Sequence, residues 1–240
     1  MKKDIPSINP LLCLTVSLII MLISSVSLMA GNMKKTIEIK PRMAGLVAYG
    51  TLMSKQDLEK TLGHKFEGQT YQVHLMGYIR GWALRRPFND PQASTPNAAR
   101  ISASFLSDGK QIPFSGVVNL NVYPEKKGRM NAILYLLTKE DFLKVDKRER
   151  GYERRDVTDK IAEYDFSGGR VYVYEGLPNH PDTAATDPKE YILVKEYVDQ
   201  VTRLCDAIGE SFRTEFEKST RPLAYRIVPF KDIIWKSPGK

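Results

Sequence analysis

Metal-binding and nucleophilic side chains are scarce in this chain. Its 240 residues include two cysteines, Cys13 and Cys205, and three histidines, His64, His74 and His180. No pair of them has the spacing of a metal site, and Cys13 lies in an apolar N-terminal run, so no internal disulfide framework is available. We therefore expect no metal and no cofactor. We expect Cys205 to be a small buried side chain rather than a nucleophile.

Basic residues are in excess, but they are not clustered. The chain has 36 Lys and Arg residues against 28 Asp and Glu residues, which gives a formal net charge of +8. No Lys/Arg block is interleaved with aromatic side chains in the way that proteins binding single strands require. The sequence therefore predicts no nucleic-acid partner, and its 42% hydrophobic residues are ordinary for a protein with one sizeable core.

The first 30 residues differ in composition from the rest. Lys2 and Lys3 precede an uncharged stretch, residues 5–32, that is rich in Leu, Ile, Val and Met. This pattern is typical of a signal peptide or a membrane anchor, and the apolar run approaches the about 20 residues that span a bilayer. We expect residues 1–30 to direct export or membrane attachment. Cleavage after Ser27 and retention as an anchor both stay open, and a start at Met33 would make the protein cytoplasmic.

Residues 138–157 predict a short helix with one carboxylate on its apolar face. A Thr-x-x-Asp capping box opens the helix at residue 138, and Gly151 is the residue type that ends helices in the left-handed conformation. Phe142, Val145 and Glu149 follow at i, i+3 and i+7, so they share one face. Glu149 is therefore expected at a helix-to-strand corner, half out of water.

Two interpretations of Glu149 follow from this placement. It is either a surface residue paired with Arg148, Arg150 or Arg154, or an acid and base that transfers protons. An apolar setting raises the pKa of a carboxyl towards neutrality, which suits general acid–base catalysis. A strand is expected to begin at Tyr152.

A second motif lies at residues 49–53, which read Tyr-Gly-Thr-Leu-Met. A helix is expected directly after it, because Ser54 and the Asp three residues later form another capping box. A strand, a turn and a helix in this order would present the backbone N–H groups of Gly50, Thr51 and Leu52 to an anion such as a carboxylate. Many domains carry such a turn and bind nothing there.

The remaining elements predict an α+β fold. Strands are expected at residues 44–49, 71–79, 81–86, 101–106, 114–123, 131–136 and 171–174. Short strands with one brief helix early and another in the middle favour an antiparallel or mixed sheet that closes on itself.

The C-terminal part predicts a helical extension, residues 187–235, beyond a domain at residues 45–178. Asp187 and Pro188 form a helix start, and one long amphipathic helix is expected from residue 189 to about 217. Its apolar stripe consists of Tyr191, Val194, Val198, Val201, Cys205, Ile208 and Phe212. We expect the stripe to pack on the domain, with a membrane or a second chain as the alternatives.

Together, the two motifs resemble the gamma-glutamylcyclotransferase-like family, especially its plant avirulence-induced and ChaC-like relatives. Residues 49–53 are similar to the family's opening Tyr-Gly-Ser/Thr-Leu motif, and residues 146–154, Asp-Lys-Arg-Glu-Arg-Gly-Tyr-Glu-Arg, resemble its Asp-x-x-Glu-x-x-x-Tyr-x-Arg stretch. Between them, Gly77-Tyr78 with Trp82 and Arg86 resembles the second strand pair, and Gly116-Val117-Val118 resembles a strand that usually reads Gly-x-Val/Leu. The resemblance covers residues 45–174 in the same order.

The resemblance implies a small mixed β-barrel with flanking helices and an enzyme that releases 5-oxoproline from a small-molecule γ-glutamyl amide. The backbone of residues 50–52 would hold the substrate carboxylate, Glu149 would be the general acid and base, and Tyr49 and Tyr152 would line the pocket. Thr51 stands where the family more often has Ser, and no Asn follows it. The C-terminal extension exceeds the minimal domain, which bears on substrate size.

Such a reaction asks little of the protein, because a γ-glutamyl amide carries its own nucleophile, the α-amine. The leaving amine stays open among an amino acid, a cysteinyl peptide and an ε-lysyl group. Two other functions are also open: a non-catalytic small-molecule-binding or interaction module on the same fold, and a membrane-attached interaction protein that uses the long helix.

Overall fold

The fold is that of a computed structural model, which describes residues 34–88, 102–176 and 191–236. Its α-helices are α1 (Lys55–Leu62), α2 (Lys139–Arg148), α3 (Lys195–Ile208) and α4 (Glu210–Lys218). Its strands are β1 (Lys35–Glu38), β2 (Met43–Ala48), β3 (Thr70–Pro87), β4 (Ser102–Ser107), β5 (Lys110–Phe114), β6 (Gly116–Thr138), β7 (Tyr152–Asp156), β8 (Tyr164–Ser167), β9 (Val171–Gly176), β10 (Tyr191–Val194), β11 (Thr220–Arg221), β12 (Arg226–Val228) and β13 (Ile233–Lys236). Short 3-10 turns lie at Thr51–Met53, Thr158–Lys160 and Phe230–Asp232. The mixture confirms the α+β class.

The N-terminal segment and the predicted helix start at Asp187 lie outside the described residues. The expected role of residues 1–30 in export or membrane attachment therefore stays a prediction. Within the described ranges, no helix is both long and apolar enough to cross a membrane.

Strand β6 is the centre of an eight-stranded sheet. β3 pairs with it along one edge, antiparallel, from Thr70 opposite Tyr135 to Pro87 opposite Gly116. On the other edge, β2 pairs with residues 133–138, whereas β10 pairs with Gly116 and Val117. Among the described strands, none pairs with residues 118–132 on that edge, which leaves a gap in the sheet.

The sheet is open, contrary to the expected barrel. Its order is β11-β3-β6-β2-β9-β7, with β10 beside β6 and β12 beside β10. The 23 residues of β6 are long enough to take a different partner on each half of one edge, so the sheet divides at β6 instead of closing. Two smaller sheets, β1-β8 and β13-β4-β5, accompany it.

Some predicted strand breaks are absent. Residues 71–79 and 81–86 belong to the single strand β3, because the turn-forming Gly77, with φ of 75°, is absorbed as an irregularity in the pairing between Met76 and Tyr78. The strands expected at 114–123 and 131–136 likewise join into β6.

The predicted long C-terminal helix is wrong in two places. Tyr191–Val194 forms strand β10, since a short buried apolar run fits a strand as well as it fits one turn of a helix. The helical part is divided at Gly209, whose φ of 144° and ψ of 159° end α3 before α4 begins. The helices nevertheless bury the centre of the predicted stripe, namely Val201, Cys205 and Phe212.

Cys205 lies in the core, as the sequence predicted. It is fully buried, and burial raises the pKa of its thiol to about 11. A thiol with so high a pKa is a poor nucleophile, so this residue acts as a small hydrophobic side chain.

Candidate active site

A cavity of about 540 Å³ lies at the gap in the sheet. Its walls come from the end of β2, the free edge of β6, the corner between α2 and β7, and the start of α3. The residues that line it are Leu46, Val47, Ala48, Tyr49, Gly50, Thr51, Leu52, Asp57, Lys60, Arg86, Val117, Asn119, Leu120, Arg148, Glu149, Arg150, Tyr152, Tyr174, Tyr197 and Gln200. Small-molecule sites commonly have volumes of about 300 to 1,000 Å³, so the cavity has the size of a ligand site.

Two tyrosines supply the hydrogen bonds that a missing strand would have made to β6. Buried backbone N–H and C=O groups require partners. The Tyr152 hydroxyl donates to the Leu120 carbonyl oxygen at 3.2 Å, and the Leu120 N–H donates to the Tyr197 hydroxyl oxygen at 3.4 Å. At Leu120, side chains rather than a neighbouring strand therefore satisfy the backbone groups on this edge of β6.

The opening motif forms the rim next to this edge. The buried Tyr49 hydroxyl donates to the Tyr174 carbonyl oxygen at 2.7 Å, which ties the end of β2 to β9. Gly50 precedes the turn Thr51–Met53, whose first N–H groups have no acceptor within the turn. A Cβ on Gly50 would lie 3.8 Å from the Tyr197 hydroxyl oxygen, so this backbone faces the cavity.

Helix α1 follows the turn as predicted. The Asp57 N–H donates to Ser54 Oγ at 3.2 Å, and Gly63 ends the helix in the left-handed conformation.

Helix α2 places Glu149 at the opposite rim. Thr138 caps its start by accepting the Asp141 N–H at 3.1 Å, as the capping box predicted. Phe142 and Val145 are buried on the face that leads to Glu149, which is the C-terminal cap residue of the helix.

The chain turns sharply after Glu149, at Gly151. This residue has φ of 80°, and a Cβ on it would lie 2.1 Å from the Arg86 guanidinium. The positive φ favours glycine, since other side chains are strained there, and any Cβ would also displace the Arg86 guanidinium. The turn leads into β7 at Tyr152. The Arg86 guanidinium carbon lies over the Tyr152 ring, 5.0 Å from the ring centroid.

The Glu149 carboxylate is mostly withdrawn from water. Its side chain is 16% exposed, and its Oε1 lies 3.2 Å from Arg148 Nε. Burial raises the pKa of Glu149, the charges of Arg148 and Arg86 oppose that effect, and the net pKa is raised. The ion pair with Arg148 exists, the carboxylate also lines the cavity, and proton transfer by Glu149 stays a prediction. Arg154 pairs instead with Asp146, at 3.3 Å.

Arg148 links the two rims of the cavity. Besides Glu149, its guanidinium donates to Thr51 Oγ1 at 2.8 Å and to Thr61 Oγ1 at 2.7 Å. The sequence alone predicts Arg148 only as a surface ion-pair partner of Glu149. The sequence places Arg148 directly before Glu149 in the motif, which indicates a role at the site. Its hydrogen bond to Thr51 depends on how α1 and α2 pack, which the sequence does not show.

Charged residues give the cavity a basic lining. Four basic side chains, Arg86, Arg148, Arg150 and Lys60, face two acidic ones, Asp57 and Glu149. Arg86 also donates to the carbonyl oxygen of Arg150 at 2.6 Å, which braces the α2–β7 corner. An excess of positive charge in a concave site favours an anionic ligand.

The C-terminal segment contributes a wall that the sequence did not predict. Tyr197 and Gln200 of α3 line the cavity, and the Gln200 side-chain amide donates to Asp57 Oδ2 at 2.7 Å, joining α3 to α1. No sequence signal places these residues, because they reach the cavity only through the pairing of β10 with β6.

The structure brings the six predicted site residues to one cavity. Tyr49, Gly50, Thr51 and Leu52 form one rim, and Glu149 and Tyr152 form the other. Their roles in binding or catalysis stay predictions. Within the described ranges, no cluster of His, Cys, Asp and Glu side chains could hold a metal ion.

No model of a known protein family matches the chain, and neither does any curated protein. A solved structure titled gamma-glutamyl cyclotransferase is similar to it with 9% identity and a TM-score of 0.46, covering 76% of this chain and 90% of that one. The Arabidopsis thaliana proteins At3g28950.1 and At5g39720.1 are 14% and 15% identical, with TM-scores of 0.39 and 0.34. The first comparison covers 75% of this chain and 85% of that one, and the second covers 76% and 96%. At this level, likeness to a solved structure is not evidence of a shared activity.

Proposed function

We propose that this protein is a gamma-glutamylcyclotransferase-type enzyme that acts on a small γ-glutamyl amide and yields 5-oxoproline and a free amine. One observation carries the proposal: Glu149, a mostly buried carboxylate with a raised pKa, lines the same cavity as the Gly50–Leu52 backbone. A proton-transferring acid and an anion-binding turn on opposite rims suit this reaction. The proposal requires no metal or cofactor.

The reaction proceeds by intramolecular aminolysis. The α-amine nitrogen attacks the γ-carbonyl carbon, forming the C–N bond of a five-membered ring, and Glu149 accepts the proton that this nitrogen loses. Glu149 then gives a proton to the leaving nitrogen, and the original amide C–N bond breaks. Because nucleophile and electrophile belong to one molecule, the protein has to position them and carry the proton.

Binding of the glutamyl group rests on charge and on the opening turn. The basic lining supports an anionic substrate, and the N–H groups of residues 50–52 are donors for its α-carboxylate. Arg148 contacts both Thr51 and Glu149, which connects the opening turn to the proposed acid and base. A substrate bound at the turn would then have its scissile amide beside the carboxylate.

The second candidate is a non-catalytic binding module on the same fold. The ion pair of Glu149 with Arg148 favours it, since a paired carboxylate stabilises structure without transferring protons. The two candidates share the cavity and its anionic ligand. They differ in whether 5-oxoproline is formed.

The test is 5-oxoproline release by the purified full chain. The panel contains a γ-glutamyl amino acid, a γ-glutamyl-cysteinyl peptide and γ-glutamyl-ε-lysine. The matching α-glutamyl compounds are the controls, because their amide lies at the α-carboxyl, so attack of the α-amine on the γ-carboxyl cannot expel the amine or release free 5-oxoproline. Release from at least one γ-glutamyl compound, and from no α-glutamyl control, is the expected result. Saturable binding without any release would favour the binding module and overturn the enzyme.

A further inference from the structure

We propose that Tyr197, from the C-terminal segment, is a substrate-binding residue whose hydroxyl donates a hydrogen bond to the substrate oxygen held against Gly50. This inference rests on the proposed function. It assigns a role in the site to a part of the chain that the opening motif and the glutamate do not include.

The four tyrosines that line the cavity differ in how their hydroxyl protons are used. Tyr49 donates to the Tyr174 carbonyl oxygen, Tyr152 donates to the Leu120 carbonyl oxygen, and Tyr174 donates to Asp146. Tyr197 instead accepts a hydrogen bond, from the Leu120 N–H at 3.4 Å. In residues 34–88, 102–176 and 191–236, no acceptor is within hydrogen-bonding reach of its own proton. A ligand oxygen can therefore accept a hydrogen bond from the Tyr197 hydroxyl without breaking an existing hydrogen bond.

The ring of Tyr197 is held in place on two sides. It packs edge-on against Trp82 of β3, with ring centroids 5.5 Å apart, and the bond between Gln200 and Asp57 fixes α3 one turn further on. A fixed donor binds more favourably than a mobile one, because less conformational freedom is lost when the ligand binds.

The hydroxyl also lies at the correct place for a ligand of the opening turn. A Cβ on Gly50 would be 3.8 Å from the Tyr197 oxygen and 3.9 Å from Leu120 Cδ2. An oxygen atom seated against the Gly50 backbone is thus within reach of the Tyr197 proton. Packing alone does not require glycine here, since these distances are ordinary contacts. A methyl group at this position would stand between the hydroxyl and the ligand.

The hydroxyl keeps its proton over the working pH range. Burial raises the pKa of Tyr197 to about 12, and the nearby Glu149 adds to that effect. Tyr197 is therefore a neutral donor at every pH at which Glu149 changes its charge. Its contribution is to ground-state binding of the carboxylate, because the hydroxyl takes no part in proton transfer.

The test compares Tyr197→Phe with Tyr123→Phe in the full chain. Tyr123 is the matched control, since it also carries a buried hydroxyl but lies outside the cavity lining. Loss of one hydrogen bond to a carboxylate should raise KM for the γ-glutamyl substrate about ten- to a hundredfold, with kcat within threefold. Tyr123→Phe should change neither. The same variants are titrated with 5-oxoproline, which keeps the carboxylate, by calorimetry.

The possible outcomes are distinguishable. A KM within twofold of wild type in Tyr197→Phe, or a fall in kcat at constant KM, would overturn the role of Tyr197 and leave the proposed function intact. If the wild type releases no 5-oxoproline, the proposed function fails, and the calorimetric titration still decides whether Tyr197 binds a carboxylate. Should Tyr197→Phe not fold, Gly50→Ala is the second variant. It leaves the Leu120 bond in place, and unchanged substrate binding in it would overturn the inference.

Discussion

The Nε atom of Arg148 lies 3.2 Å from Oε1 of Glu149, so the proposed acid and base is paired with its neighbour in the chain. Two opposing effects meet at this carboxyl. Burial favours the protonated form, whereas Arg148 and, more weakly, Arg86 favour the ionised form. The balance leaves a raised pKa, which makes Glu149 a better proton carrier near neutral pH than an exposed glutamate.

Replacing Arg148 with Gln should move the pH dependence of turnover to higher pH. Glu149 has to be ionised to accept the amine proton, so kcat/KM rises with pH through the pKa of Glu149. Removal of a positive charge this close raises the pKa of Glu149 further. The measurement is a pH–rate profile of 5-oxoproline release. Arg155→Gln, which removes a charge paired with Glu153 outside the cavity, should leave the pH–rate profile unchanged. If the rise of kcat/KM in Arg148→Gln stayed at the same pH or moved to lower pH, Arg148 would not lower the pKa of the group that controls turnover.

Relative to the wild type, Glu149→Gln should be more stable at pH 7 than it is at pH 4. A carboxyl whose pKa is higher in the folded than in the unfolded state binds more protons when folded, so stability falls as pH rises from the ordinary pKa of about 4.3 through the raised value. Gln has no such dependence. The difference in melting temperature between variant and wild type should therefore be larger at pH 7 than at pH 4. An equal difference at both values would mean that the pKa is not raised.

Two glycines at the rims should respond differently to alanine. Gly151→Ala forces a side chain to φ of 80° and against Arg86, which should lower the free energy of unfolding by about 1 to 2 kcal/mol. Gly50→Ala meets only ordinary contacts and should change it by less than about 0.5 kcal/mol, while it weakens substrate binding. Chemical denaturation measures both. A strongly destabilised Gly50→Ala would mean that the fold, rather than the ligand, requires this glycine.

Local signals predicted the parts of the site that depend on neighbouring residues. The caps at Ser54 and Thr138, the end of α2 at Glu149 and the turn at Gly151 were all readable, because each is made within a few residues. The path of the C-terminal segment could not be predicted from the sequence in this way. Tyr191–Val194 fits a helix or a strand equally well by its apolar pattern, and its pairing with β6 and with β12 selects the strand.

The open sheet and the cavity wall formed by α3 have the same cause, which is the strand pairing of β6. Both depend on β6 taking β2 and β10 on different parts of one edge, an arrangement between residues far apart in the chain. The contribution of Tyr197 to the cavity follows from it. Periodicity along the sequence carries no information of this kind.

The N-terminal segment should direct export or membrane attachment of the full chain. Lys2 and Lys3 followed by an uncharged apolar run are the basis of this prediction. Fractionation of cells that express the full chain, with sequencing of its N-terminus, is the measurement. Recovery of all the protein in the cytosol with an N-terminus at Met33 would contradict it.

A comparison of Glu149→Gln with Glu153→Gln tests whether Glu149 transfers the proton. Gln keeps the shape of Glu but cannot accept a proton, so Glu149→Gln should bind 5-oxoproline as before and lose about 10² to 10⁴ in kcat. Glu153 is exposed, paired with Arg155 at 2.9 Å and outside the cavity lining, so Glu153→Gln should change kcat less than about threefold. Full activity in Glu149→Gln, or an equal loss in Glu153→Gln, would contradict the assignment.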